Sequence, residues 1–211
     1  MDFGDFTFPE LLTDLGLKYG EADLYSGVAA IPPREYVAAT VAEGATLALA
    51  IDTEKARSEF IIAPVLLEVR RLLGGAFALF SGVELNVDPA QGLNGVCDFI
   101  LSGSPFQFVL SAPLVTIVEA KNDNLRNGLG QCIASMVAAE RFNQASGSPV
   151  AVIHEVVTTG NAWKFLTLEG SAVTLDLKEY DIIEVGKLLG ILTSLLRLSV
   201  AIPGVLTPSA P

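Results

Sequence analysis

The sequence predicts an α/β (α+β) protein built on one core, with the element order helix, three strands, helix, strands, helix. Three features carry that expectation. Apolar, β-rich runs recur at Ala76 to Val87, Gly95 to Leu101 and Leu114 to Lys121, the pattern of strands with one or both faces covered. Apolar residues return at helical spacing after Thr53 and again over Leu129 to Phe142. Glycine and proline separate these runs, as at Gly74-Gly75 and over Gly103 to Pro113.

From the amino terminus, Pro9 to Leu17 reads as an amphipathic helix and Tyr19-Gly20-Glu21 as a turn. Ile31-Pro32-Pro33 breaks regular structure, because proline lacks the N–H that a helix or central strand needs. Arg34 to about Glu43 then reads as a helix, followed by a strand from Thr46 to Ile51. Asp52 or Thr53 can cap the next helix, which carries Glu54 to Glu59, meets a kink at Pro64 and runs to Leu73. The three strands and the Leu129 helix follow. Pro149 to Val157 and Trp163 to Leu168 form a hairpin over Thr158-Thr159-Gly160-Asn161, and Val173 to Leu177 adds an edge strand. Asp181 to Val200 closes the chain as a helix with a broad apolar face, suited to core packing or to a homodimer interface.

Composition sets bounds on function. The 211 residues suffice for one well-buried core, read here as a domain over residues 54–211 with an acidic extension over 1–53 packed on it. Apolar residues make up 51% of the chain, but its most apolar segment, Leu188 to Leu206, is interrupted by Arg197 and Pro203. Its charge-free stretches fall short of the ~18 residues that span a bilayer, and the acidic start Met1-Asp2-Phe3-Gly4-Asp5 is unlike a secretory signal. The expectation is a cytoplasmic protein with no membrane partner. Cys97 and Cys132 have no metal-ligand spacing and read as buried thiols. The net charge of −11 divides unevenly: residues 1–54 hold ten acids and two bases, a net −8, and the rest hold fourteen acids and eleven bases, a net −3. Non-specific adhesion to a polyanion is excluded, so any nucleic-acid contact is local.

The stretch from Leu93 to Met136 concentrates the chemistry. Asp98 sits inside one apolar run, and Glu119 and Lys121 end the next. Residues two apart on a strand share a face, so a carboxylate and an ammonium leave the sheet together. Burying them is costly unless they are paired, solvated or metal-bound. Two carboxylates brought close repel, and a divalent cation between them removes the repulsion. Oxygen ligands without histidine favour Mg²⁺ or Mn²⁺, and the reaction that suits such an ion beside a lysine is phosphodiester hydrolysis. Other readings stay open: a structural Glu119–Lys121 ion pair, Glu59 as a helix-start acid, and Lys55, Arg57, Arg70, Arg71 and Arg126 as a phosphate path or a solvated face. Gly128-Leu129-Gly130 after a strand is a weak dinucleotide-turn signal, since Ile133 stands at the third glycine.

With a helix bearing Glu59, a strand, the Asp98 strand, the Glu119-Ala120-Lys121 strand and a helix in succession, the chain resembles the PD-(D/E)XK nuclease superfamily, the restriction-endonuclease-like fold. The text TEKARSEFIIAPVLLEVRR, GLNGVCDFI and IVEAKNDNLRNGLGQC is similar to a cyanobacterial-type branch of it. The superfamily likeness covers about residues 54–160. It implies an αβββαβ core with a mixed central sheet flanked by helices, and Mg²⁺ (or Mn²⁺) held by Asp98, Glu119 and the main-chain carbonyl of Ala120. Lys121 becomes the catalytic lysine, Glu59 the helix acid and Gln131 an accessory residue. The implied substrate is DNA first and RNA second. The sequence departs from the pattern at Cys97, where the name-giving proline would stand, and it lacks the tyrosine that partners the helix glutamine. The alternative is a catalytically silent module of the same fold that binds nucleic acid or a protein.

Overall fold

Eight strands join in one mixed sheet: β1 (Lys18–Ala22), β2 (Ala78–Asp88), β3 (Leu93–Ser102), β4 (Leu114–Ala120), β5 (Ile153–Thr158), β6 (Ala162–Glu169), β7 (Ala172–Asp176) and β8 (Tyr180–Asp181). The computed structural model describes residues 2–8, 10–122 and 124–199. Spatial order is β1-β7-β6-β5-β4-β3-β2, with β8 also paired to β6. β2, β3 and β4 form an antiparallel meander. β4 and β5 are parallel, which requires a crossover, and α5 (Leu129–Ala145) supplies it.

The remaining helices are α1 (Glu10–Asp14), α2 (Glu35–Ile51), α3 (Glu54–Arg57), α4 (Ala63–Leu72) and α6 (Val185–Ser199). Two apolar layers hold the sheet. On one face Val41, Leu66 and Leu192 from α2, α4 and α6 meet Phe99, Val118 and Val156. On the other, Cys132, Ile133 and Met136 of α5, with Phe3 and Leu11, meet Ile100, Ile117 and Val157. Every residue of β4 is buried, as a strand covered on both faces must be. Both cysteines are free and buried. The apolar side of α6 is spent inside the chain, with Leu188, Leu189, Ile191, Leu192, Leu195 and Leu196 at 0–1% exposure, so those side chains offer nothing to a second copy. No helix among the described residues is long and apolar enough to cross a membrane.

Several expectations need correction. Thr46 to Ile51 is not a strand: α2 continues through it and stops at Asp52, whose φ of 57° is left-handed and whose N–H donates to Ala48. Alanine-rich sequence favours the helix, and Gly44 marks a close approach rather than a break. Tyr19-Gly20-Glu21 is part of strand β1, which pairs with β7 in parallel. That pairing makes β1 the outer strand and moves β7 inward from the edge expected for it. The first helix is shorter than expected because Gly16 turns at φ 65°. Pro9 and Val200, expected helix ends, lie outside the described residues. The kink at Pro64 is a π turn, Ser58–Ile62, inserted before α4, one of the ways a helix absorbs a missing N–H.

Proline at 64 supplies no N–H to the carbonyl of Phe60 four residues back, and α2 packs there: a Cβ on Gly44 would overlap the Phe60 carbonyl oxygen. Gly44→Ala should therefore destabilise the protein by about 1–3 kcal/mol in urea unfolding, although helix propensity alone favours alanine by about 1 kcal/mol. A more stable variant would refute this contact.

Candidate functional site

The carboxyl-terminal end of β4 is where the buried sheet meets solvent. Backbone pairing between β3 and β4 ends at Phe99 opposite Val118. One step further, the Asp98 side chain replaces the backbone: its Oδ2 accepts the Ala120 N–H at 2.8 Å. The reason lies in β2, where Gly82 adopts φ 64° and the ladder skips the Gly82/Asp98 position. Cys97 and Ile100, three residues apart, both reach the α5 layer, which an uninterrupted strand cannot do. This local irregularity takes Asp98 out of strict alternation and into a cleft of about 380 Å³ shared with Glu54, Ser58 and Glu59.

Glu119 and Lys121 leave the same side of β4, as their spacing predicts. Lys121 Nζ donates to Glu119 Oε1 at 2.7 Å and to Gln131 Oε1 at 3.0 Å. The lysine backbone continues the parallel ladder, donating to Thr158 O at 2.8 Å. Gly128 gives the lysine room, since a Cβ there would lie 3.0 Å from its Cε and 2.9 Å from Val157. Sequence reasoning thus placed Asp98, Glu119, Ala120, Lys121 and Gln131 at one strand end, and the structure brings them together. Glu59 is in the same cleft as Asp98, but it is half-exposed and paired with Lys55 at 2.8 Å.

Two acids escaped sequence reasoning. Glu54, the first residue of α3 after the Thr53 cap, acts electrostatically on both Glu119 and Lys121. Its signal was its place directly after a capping threonine. Glu155 is fully buried on β5 behind the site, where Oε2 accepts from Ser135 Oγ at 3.1 Å and the Cys132 thiol also hydrogen-bonds to the carboxyl. Its signal was the same as for Glu119, an acid inside an apolar β run. Arg57 is not on a phosphate path: it is buried and ties α3 to the β5–β6 hairpin, donating to Thr159 O at 2.7 Å and pairing with Asp52 at 3.0 Å. The dinucleotide-turn reading also falls, because a Cβ on Gly130 would overlap the Phe6 carbonyl. Protein backbone already fills that approach.

Electrostatics follow from this crowding. Burial, then the neighbouring Asp98 charge, pushes the Glu119 carboxyl up to about 7, against the pull of Lys121. Burial also raises Asp98, opposed by the Ala120 N–H and Lys121. For Lys121 burial acts downward, but the charge and hydrogen bond of Glu119 outweigh it and hold the ammonium above its ordinary range. Glu155 is driven far upward by burial and by Glu119. Three carboxyl groups, those of Asp98, Glu119 and Glu54, thus act on the single ammonium of Lys121 or on one another. One oxygen of Asp98 and one of Glu119 are outside the two bonds described, available to a hard cation with the Ala120 carbonyl and waters. Among the described residues, however, no three His, Cys, Asp or Glu side chains converge as a ready cage.

The raised Glu119 carboxyl has a measurable consequence. Between its ordinary 4.5 and about 7 the folded state binds more proton than the unfolded state, so this residue's contribution to stability falls as pH rises through that window. Relative to the parent, Glu119→Gln should gain up to about 3 kcal/mol between pH 5 and pH 8 in urea unfolding. A pH-independent difference would show that the carboxyl is not perturbed.

No family model and no curated protein matches the chain. Among solved structures, the chain is similar to one chain of a cryo-EM structure of a DrdV–DNA complex, at 13% identity and a TM-score of 0.45, over 76% of this chain and 14% of that one.

Proposed function

We propose that the protein is a metal-dependent nuclease that hydrolyses phosphodiester bonds in DNA. The observation that supports this best is the meeting of Asp98, Glu119 and Lys121 at one open strand end, where two carboxyl groups face a single ammonium. Asp98, Glu119 and the Ala120 carbonyl would hold Mg²⁺ or Mn²⁺, with waters filling the remaining positions. The bound ion would supply charge stabilisation to the phosphoryl oxygens and lower the pKa of a coordinated water.

The chain's own residues would do the rest. Lys121 is raised and charged, so it serves as a fixed cation toward a developing phosphoryl charge rather than as a base. Gln131 fixes its direction through the 3.0 Å bond. In the parent structure Lys121 leans on Glu119, and ion binding at Glu119 would release it toward the substrate. Glu54 and Glu59 line the approach with Ser58, and Glu54 stands as the helix acid because Glu59 is engaged by Lys55.

A second reading is a silent binding module of the same architecture, favoured by the Glu119–Lys121 pair, which already offsets one of the carboxylates. The two separate on incubation with labelled single-stranded, duplex, branched and flap DNA and with RNA, in Mg²⁺, Mn²⁺ or chelator. The nuclease reading expects cleavage that needs the ion, disappears in Glu119→Ala, and drops roughly 10²–10³-fold in Lys121→Met. Cleavage retained in Glu119→Ala would sink the assignment. In parallel, saturating Mg²⁺ at pH 8 should raise the thermal midpoint of the parent, by about 2.7 kcal/mol of added stability at a hundredfold excess over Kd. Asp98→Asn should show no such rise; an equal rise in both would place the ion elsewhere.

A further inference from the structure

A cavity of about 620 Å³ stands apart from the cleft at Asp98. It lies between the turn Leu125–Gly128 that follows Lys121 and the outer strands β6, β7 and β1. Its floor is apolar and aromatic. Phe8 and Tyr19 meet edge to face with centroids 5.2 Å apart, and Leu129 and Leu175 complete the surface. Tyr19 keeps 39% of its surface in solvent. Arg126, from the turn, and Lys164, from β6, supply two cations to the same cavity.

The sheet register relates this cavity to the site. Glu119 pairs with Val157, and Val157 pairs with Lys164, so Glu119 and Lys164 stand in one lateral row two strand spacings apart. That is roughly 10 Å. The turn carrying Arg126 ends on Gly128, where an added Cβ would meet both Val157 and Lys121. The cavity is therefore the next stop for a chain whose scissile phosphate sits at Asp98 and Glu119.

We propose that this cavity receives an unpaired nucleotide of the DNA strand flanking the scissile phosphate, its base lying on Tyr19 and Phe8 and its phosphate meeting Arg126 and Lys164. The inference rests on the nuclease reading for its placement relative to chemistry. An aromatic surface beside cations is how single strands are held without strict sequence readout, and a double helix cannot present a base face to it. The acids in the cavity do not oppose this. Asp176 is turned inward, accepting from Leu24 N, Lys178 N and Tyr180 OH, and Glu21 accepts from Tyr19 OH at 2.6 Å. Glu179 stands on the lining, where a carboxylate can accept from the exocyclic amine of a base.

The test uses fluorescence anisotropy with a short labelled single-stranded DNA and the matching blunt duplex, with the full chain in chelator so that nothing is cut. The parent should prefer the single strand. Tyr19→Ala should weaken single-strand binding roughly 5- to 100-fold and leave duplex binding unchanged. Because Tyr19 also packs on Phe8, Arg126→Gln, on an exposed turn, is measured beside it; Arg126→Gln and Lys164→Gln together should cut the slope of log K against log salt by about 1.4. Parent-like binding and slope in all of these variants overturns the cavity. So does a parent that binds no single strand. Cleavage that persists while the cavity variants behave like the parent would leave the nuclease reading intact and remove this one. Selective binding that depends on Tyr19 and Arg126 in a protein that never cuts would do the reverse.

Discussion

The arrangement depends on a charge placed where a buried strand runs out. β4 is covered on one face by α5 and on the other by the layer of α2, α4 and α6, so a charged group can be accommodated only at its end. Glu119 sits there with 8% of its side chain in solvent, and an isolated carboxylate so placed would be expensive. Three features make it tolerable. Lys121 reaches back along the same side of the strand, Gln131 holds the lysine from α5, and Asp98 completes the broken ladder through the Ala120 N–H. Removing any one partner leaves a buried charge or donor unmet, which costs more than the contact itself contributes.

Those same partners cannot balance the site. Asp98 lies close enough to raise Glu119, Glu54 adds to the push, and Lys121 opposes both. Glu155 shows what happens deeper in: burial and the neighbouring Glu119 drive its carboxyl far upward, and Ser135 is a hydrogen-bond partner. Depth therefore orders the buried acids, with the upward push greatest in the sheet interior and smaller at the strand end. A divalent cation at the rim would favour ionised Glu119 and so free the ammonium that now leans on it.

Much of this was legible in the sequence because it was written in alternation and interruption. The strands β2, β3 and β4, the crossover helix and the hairpin at Thr158 to Asn161 each have a strong local period or turn signal. Acids embedded in apolar β runs marked Asp98 and Glu119, since such positions are otherwise costly. What was not legible was tertiary. Gly44 looks like a break in an alanine-rich helix until the freed Phe60 carbonyl is seen beside it. β1 has turn residues but becomes a strand because β7 offers it an edge. Sequence does not reveal that Lys55 pairs with Glu59 or that Glu54 acts on the strand end, since both depend on how α3 sits against β4. Arg57, indistinguishable in sequence from a surface base, is a buried strut.

How an acidic chain could approach a polyanion is then a question of where its few cations stand. Most of the negative excess belongs to residues 1–54, a net −8 of −11, leaving the sheet and its carboxyl-terminal loops closer to balance. Along the lateral row from Glu119 through Val157 to Lys164 the sign changes from acid to base within two strand spacings. Such a gradient would suit a metal ion at one end and a phosphate at the other without requiring a basic face. Long-range attraction is weak in this design and short-range fit decides binding, so specificity would come from the shape of the cavity beside Lys164 rather than from the field of the whole protein.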